Sequence, residues 1–194
     1  MFQRISYALK KVFYRKKAVG QMEYEPNPQS GNCIVASISN ILWFWAKNGY
    51  DSLAYGMSFR EVEAAVDALI LYEGGYANVN IPATIKKYVK SKDRGYFVKV
   101  KNRKRPKFSR VKKETVRRPC LLGFAVGSPF SGEVGHMTVC VGTGVSDGKD
   151  CCRIMDGWSA SVTEKPWGEY NDFIATVRMS KRRKFALRPN PASD

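Results

Sequence analysis

The hydrophobic period of this chain changes once, near Gly95, and that change restricts the fold more than any other feature. Before it, apolar residues recur at helical spacing. Ile34, Ile38, Ile41, Leu42 and Trp45 form a stripe that predicts a helix from about Cys33 to Asn48, with Asn32 as N-cap and Gly49 just past its end. Phe59, Val62, Val66, Leu69 and Ile70 predict a second helix from about Ser58 to Tyr72, and Ser58 with Glu61 makes a capping box. A third, shorter helix starts near Pro82, which suits a first helical turn, and ends before Gly95. Beyond Gly95 the period shortens. The run "GYFVKVK" alternates as a strand does, and a short helix is expected from Ser109 to Arg117. Then come "PCLLGFAV", "GHMTVCVGTG", "CCRIMDGW" and "FIATVRM", each rich in β-formers and bounded by Gly or Asp. The Asp-Gly of "VSDGKD" joins the second and third of these as a hairpin. Helices first and antiparallel strands second define the α+β class, with N-terminal helices packed on a C-terminal antiparallel sheet.

A chain of 194 residues, 44% hydrophobic, suits one compact domain with a real core. No apolar run approaches the length of a transmembrane helix. Charges interrupt every apolar run near the N-terminus, so no signal peptide is visible. The compartment stays open: the protein remains inside its cell, leaves by another route, or has a leader outside this sequence.

The formal net charge of +16 is uneven. Residues 1–20 carry six basic and no acidic side chains, residues 86–118 carry sixteen basic and two acidic, and residues 178–194 carry six basic and one acidic. The blocks 21–85 and 119–177 together carry a net −9. The chain therefore divides into a basic amphipathic helix over 1–20, a central domain over 21–178 and a basic tail over 179–194. The charge islands are either a solvated face or a surface for an anionic partner, nucleic acid or lipid. Within the central island, the stretch "KVKNRKRPKFSRVKKETVRR" holds one aromatic, Phe108, and so reads as a poor stacking platform.

Five cysteines make an odd count without C-x-x-C spacing, and there is one histidine, so neither a full disulfide framework nor a structural zinc site is expected. No metal or cofactor is expected. Cys120 and Cys140 read as core residues, and the adjacent Cys151 and Cys152 as facing opposite sides of a strand. Cys33 is different. It opens an apolar helix behind the polar stretch "NPQSGN". A helix N-terminus offers partial positive charge and unpaired N–H groups, which favour a thiolate. His136, the sole histidine, begins one strand, and Asp156 ends the next. Antiparallel neighbours bring those two positions to the same sheet edge. A thiol, an imidazole and a carboxylate in this order can act as nucleophile, general base and acid, and orienting group. Gly135 leaves room beside His136, and Gly157 and Trp158 would wall the contact between Asp156 and His136.

At these residues the chain resembles the papain-like cysteine peptidase superfamily, and its bacterial C39-like branch in particular. The resemblance rests on "GNCIVASISNILWFW", "RPCLLGFAVGSPFSGEVGHMTVCVGTG" and "IMDGW" and covers about residues 20–177. It implies a papain-like fold and a thiol hydrolase, a peptidase acting on peptide or protein substrates, with Cys33 as nucleophile, His136 as base and acid, and Asp156 orienting the imidazole. It implies an oxyanion-hole role for Gln29, which stands closer to Cys33 than the family usually places its glutamine; Asn27 and Asn32 are the alternatives. A deamidase or acyltransferase would use the same trio, and an inactive scaffold serving as a basic binding module is the rival from another class.

Overall fold

The computed structural model describes residues 33–76, 79–125, 135–156, 161–168 and 171–181. The first element, helix α1 (Cys33–Ala46), buries eleven of its fourteen residues. A helix that is apolar nearly all round needs neighbours on nearly every side, and α1 has them. Helix α2 (Phe59–Tyr72) lies along it, helix α3 (Ile81–Lys92) completes the layer, and a sheet covers the remaining face. The capping box at Ser58 and Glu61 starts α2, and the Asn80 side chain caps α3 ahead of Pro82. A 3₁₀ turn, Asp51–Leu53, tucks Leu53 into the core, where its carbonyl accepts the Tyr88 hydroxyl at 2.8 Å.

Six strands form one antiparallel sheet: β1 (Tyr96–Lys104), β2 (Cys120–Phe124), β3 (His136–Ser146), β4 (Lys149–Met155), β5 (Thr163–Pro166) and β6 (Asn171–Lys181). Their spatial order is β1-β6-β2-β3-β4-β5. Helix α4 (Phe108–Thr115) lies on the face away from the other three helices. The sheet thus has two cores. Leu121, Val139, Ala175 and Val177 meet the three-helix layer. Leu122, Cys140, Ile154 and Ile174 meet Val111 of α4. Covering both faces explains why β2 reads as an unbroken apolar run, with all five residues buried. Each fully buried Leu or Ile contributes roughly 1.5–3 kcal/mol.

The expected elements are present, with ends shifted by a few residues. The turn between β3 and β4 has positive φ at both Asp147 (51°) and Gly148 (71°), the geometry of a type I′ hairpin. Gly123 allows β2 and β6 to approach, because a Cβ there would lie 3.1 Å from that of Phe173. Two features depart from the sequence reading. Strand β5 was not expected: it is short, polar and ends in Pro166, all compatible with an edge strand. Met179, Ser180 and Lys181, assigned from sequence to the basic tail, are the last residues of β6. The expected helix over 1–20 and the tail beyond Lys181 lie outside the described residues.

Glu114 of α4 joins the layers. It is 2% exposed and takes Arg118 at 2.8 Å and Arg178 of β6 at 3.2 Å. Burial pushes this carboxyl up, but the two guanidinium groups outweigh it and hold it below its usual range. The carboxylate therefore stabilises the fold above the ordinary glutamate pKa, and that contribution fades as pH falls through the lowered value. Glu114→Ala should cost about 3 kcal/mol, the low end for breaking a buried pair, because Arg178 can turn to solvent. Urea unfolding at pH 7 measures this, and the difference from wild type should shrink below pH 4.

Candidate active site

Of the residues singled out from sequence, Cys33 opens α1, His136 opens β3 and Asp156 follows β4. Cys33 is the first residue of α1 and is half-buried. No acidic side chain in the first turn offsets the positive end of the helix. One turn further, the Ser37 hydroxyl donates to the main-chain carbonyl of Met137 at 3.0 Å. Residues four apart on a helix share a face. Ser37 therefore holds the turn bearing Cys33 beside the strand that His136 opens.

His136 is 6% exposed. Its Nε2 lies 2.5 Å from the main-chain oxygen of Asp156. A carbonyl oxygen can only accept, so Nε2 carries the proton and the neutral ring has its lone pair on Nδ1. Burial pushes the imidazole pKa below its ordinary value. The bond to the Asp156 carbonyl and the attraction of the Asp156 carboxylate oppose this, and Lys165 adds to the lowering. The ring is thus neutral at pH 7, the state that a general base requires.

Asp156 is also 6% exposed. The β3–β4 register, Val139 opposite Met155, brings it next to the start of β3, as antiparallel pairing predicts. It serves the imidazole through its main chain and through charge, while its carboxylate accepts the Thr163 hydroxyl at 3.3 Å. Gly135 precedes β3 and is exposed. Gln29, Gly157 and Trp158 lie outside the described residues, as do Asn27 and Asn32.

The helix that Cys33 opens touches the strand that His136 opens, through Ser37 and Met137. Among the described residues no hydrogen bond joins the Cys33 thiol to His136. The cross-strand partner of His136 is Phe124, which belongs to the core under α4, whereas α1 lies on the other face. Side chains of an antiparallel pair share a face. The imidazole therefore leaves β3 on the face away from α1. Catalytic hydrogen bonds are often long without substrate and tighten in the complex.

The other four cysteines are at most 1% exposed. Cys120 and Cys140 face each other across β2 and β3, and Cys152 joins them in the core under α4. Cys151 points to the opposite face of β4, as adjacent strand residues must. Hydrogen bonds from neighbouring thiols, and then burial, push Cys140 and Cys152 up; burial, and then the Glu164 charge, push Cys151 up, so these are poor nucleophiles. No set of described residues could hold a metal ion. Sequence reasoning missed Ser37 and Thr163. Ser37 carried a signal: it is a polar residue one turn from the candidate nucleophile in a helix otherwise rich in apolar residues. Thr163 carried none.

Two outcomes follow. The single histidine makes the imidazole signal in proton NMR unambiguous, and its titration midpoint should fall below 6.5, and lower still in Asp156→Asn, where an attracting charge is lost. The unfolded state then protonates first as pH drops below 6.5, so stability should decline between pH 7 and 5, and His136→Asn should flatten that slope. Ser37→Ala should cost about 1 kcal/mol in urea unfolding, the worth of one hydrogen bond. No protein-family model matches the chain, and no curated protein matches it.

Proposed function

We propose that the protein is a papain-like thiol hydrolase, in its simplest form a cysteine peptidase, with Cys33 as nucleophile. The observation that carries this reading is the bond from Ser37 to the Met137 carbonyl, which holds the N-terminal turn of α1 against the start of β3. The Cys33 thiol passes its proton to Nδ1 of His136, and the thiolate attacks a substrate carbonyl. The oxyanion forms beside the unpaired N–H groups of the helix N-terminus, with Gln29 as the further donor implied by the family resemblance. The imidazolium then protonates the leaving amine, and water releases the acyl group from sulfur. The Asp156 carbonyl keeps the proton of the resting ring on Nε2.

The same steps serve a deamidase or an acyltransferase, which differ in the group accepted or released. The rival is an inactive scaffold, and the observation in its favour is that His136 leaves β3 on the face away from α1.

Exposure alone makes Cys33 the most accessible thiol, so selective labelling is not enough to decide. The dependence on His136 decides. Iodoacetamide should modify Cys33 at pH 6 to 7 at least tenfold faster than a free thiol of pKa about 8.5. His136→Ala should bring the rate down to that of a free thiol, and Cys33→Ala should abolish labelling. A rate indifferent to His136 would sink the proposal. Turnover of peptide, glutamine and acyl-donor panels then assigns the reaction.

A further inference from the structure

The strongest feature outside the thiol site is the outer side of β1. Its burial alternates from Tyr96 to Lys101, so Phe97, Lys99 and Lys101 point outward, and Arg103 continues the row. Successive members stand about 6.7 Å apart, two strand residues. Phe97 is 62% exposed, an unusual position for a phenylalanine, and it heads the row of three cations. Phe108, the one aromatic between residues 99 and 118, packs against Trp167 with centroids 5.5 Å apart.

No acid of this basic segment answers the row. The Asp93 carboxylate accepts the Gly95 N–H at 2.7 Å, and Glu114 is buried between Arg118 and Arg178. Phe97 is also in the wall of a groove of about 330 Å³ between α3 and β1. Val89 and Val98 line its apolar part, and Lys86, Lys90 and Arg94 bring positive charge to it. The groove is of a size to take one flat ring. A line of cations, an exposed aromatic at its head and an apolar slot beside that aromatic are the parts that single-stranded nucleic acid requires: phosphate contacts in a row and a stacking face for a base.

We propose that single-stranded nucleic acid binds along β1, its backbone following Lys99, Lys101 and Arg103 and one base stacking on Phe97 at the groove. A membrane surface fits less well, because Phe97 alone would enter it. An acidic peptide fits less well, because it supplies no flat ring for the slot. Lysines on an edge strand also discourage pairing with another sheet, and charge of either sign does that. Binding a polyanion needs positive charge, so reversing the sign separates the two roles.

The test is fluorescence anisotropy with a labelled oligodeoxythymidylate of about twelve nucleotides. Binding should be micromolar or tighter at about 50 mM salt and weaken steeply toward 200 mM. The triple variant Lys99→Glu, Lys101→Glu, Arg103→Glu should bind at least tenfold more weakly and lose about 2 from the slope of log K against log salt. Lys47→Glu, Arg60→Glu, Lys149→Glu changes the net charge equally on other surfaces and should retain much more binding. Phe97→Ala, a mild change at an exposed site, should weaken binding about fivefold or more and leave the salt slope unchanged. The proposal is overturned by absence of oligomer binding, by equal loss in the two triple variants, or by a neutral Phe97→Ala. It is equally overturned by tighter binding to phosphatidylserine vesicles or to polyglutamate than to the oligomer.

Discussion

The burial of α1 on almost all sides is the constraint from which most of this structure follows. A helix with Ile38, Ile41 and Leu42 wholly out of solvent cannot lie on a surface, so the chain must build around it. Helices α2 and α3 cover two sides, and the sheet supplies the third. Only some of the polar atoms that α1 carries inward find protein partners there: Ser39 Oγ, Asn40 Oδ1 and Trp43 Nε1 have none among the described residues. Asn40 donates to the Ala36 carbonyl at 2.9 Å, and Ser37 reaches the neighbouring strand. That second bond sets the axial position of the helix against the sheet. It thereby sets where the helix N-terminus, with Cys33, stands relative to His136. Packing and chemistry are joined at one hydroxyl.

The two halves of the sheet answer to different demands. The central strands β2 and β3 are covered on both faces and carry few charges. The edge strand β1 is covered on one face only, and its other face is a line of cations. The uneven charge of the sequence is therefore a map of the fold: the acidic blocks hold most of the core, and the central basic block forms an edge strand and the outer helix α4. Lys87 of the basic block pairs with Glu73 of an acidic one, and Glu114 with Arg118 and Arg178 uses buried opposite charge to seat α4 on the sheet. Most of the remaining cations of that block are exposed.

Much of this was legible in the residues. Helical period before Gly95 and short strand runs after it identified the class, the helices and five of the six strands. Those signals are local, and the structure keeps them. The insertion of β6 between β1 and β2 was not legible, because strand order depends on long-range pairing that no local pattern encodes. Strand β5 escaped because four residues ending in proline carry almost no period. In the site, the neighbourhood of His136 and Asp156 followed from the hairpin rule. The way they meet did not: the imidazole bonds a main-chain oxygen, and main-chain atoms are present at every residue. The face on which His136 leaves its strand also escaped, since that depends on which side of the sheet each helix covers.

The four buried thiols have a use that the fold supplies without design. Cys120, Cys140, Cys151 and Cys152 are sealed in strands of the sheet, and Cys33 stands at a helix end outside it. A folded molecule offers one sulfur to a bulky reagent and an unfolded one offers five. The mass of the modified chain therefore counts the thiols that have opened, and mapping the modified peptides reveals which strand parts first. Through its cysteines the sheet keeps a record of its own opening, written in covalent bonds.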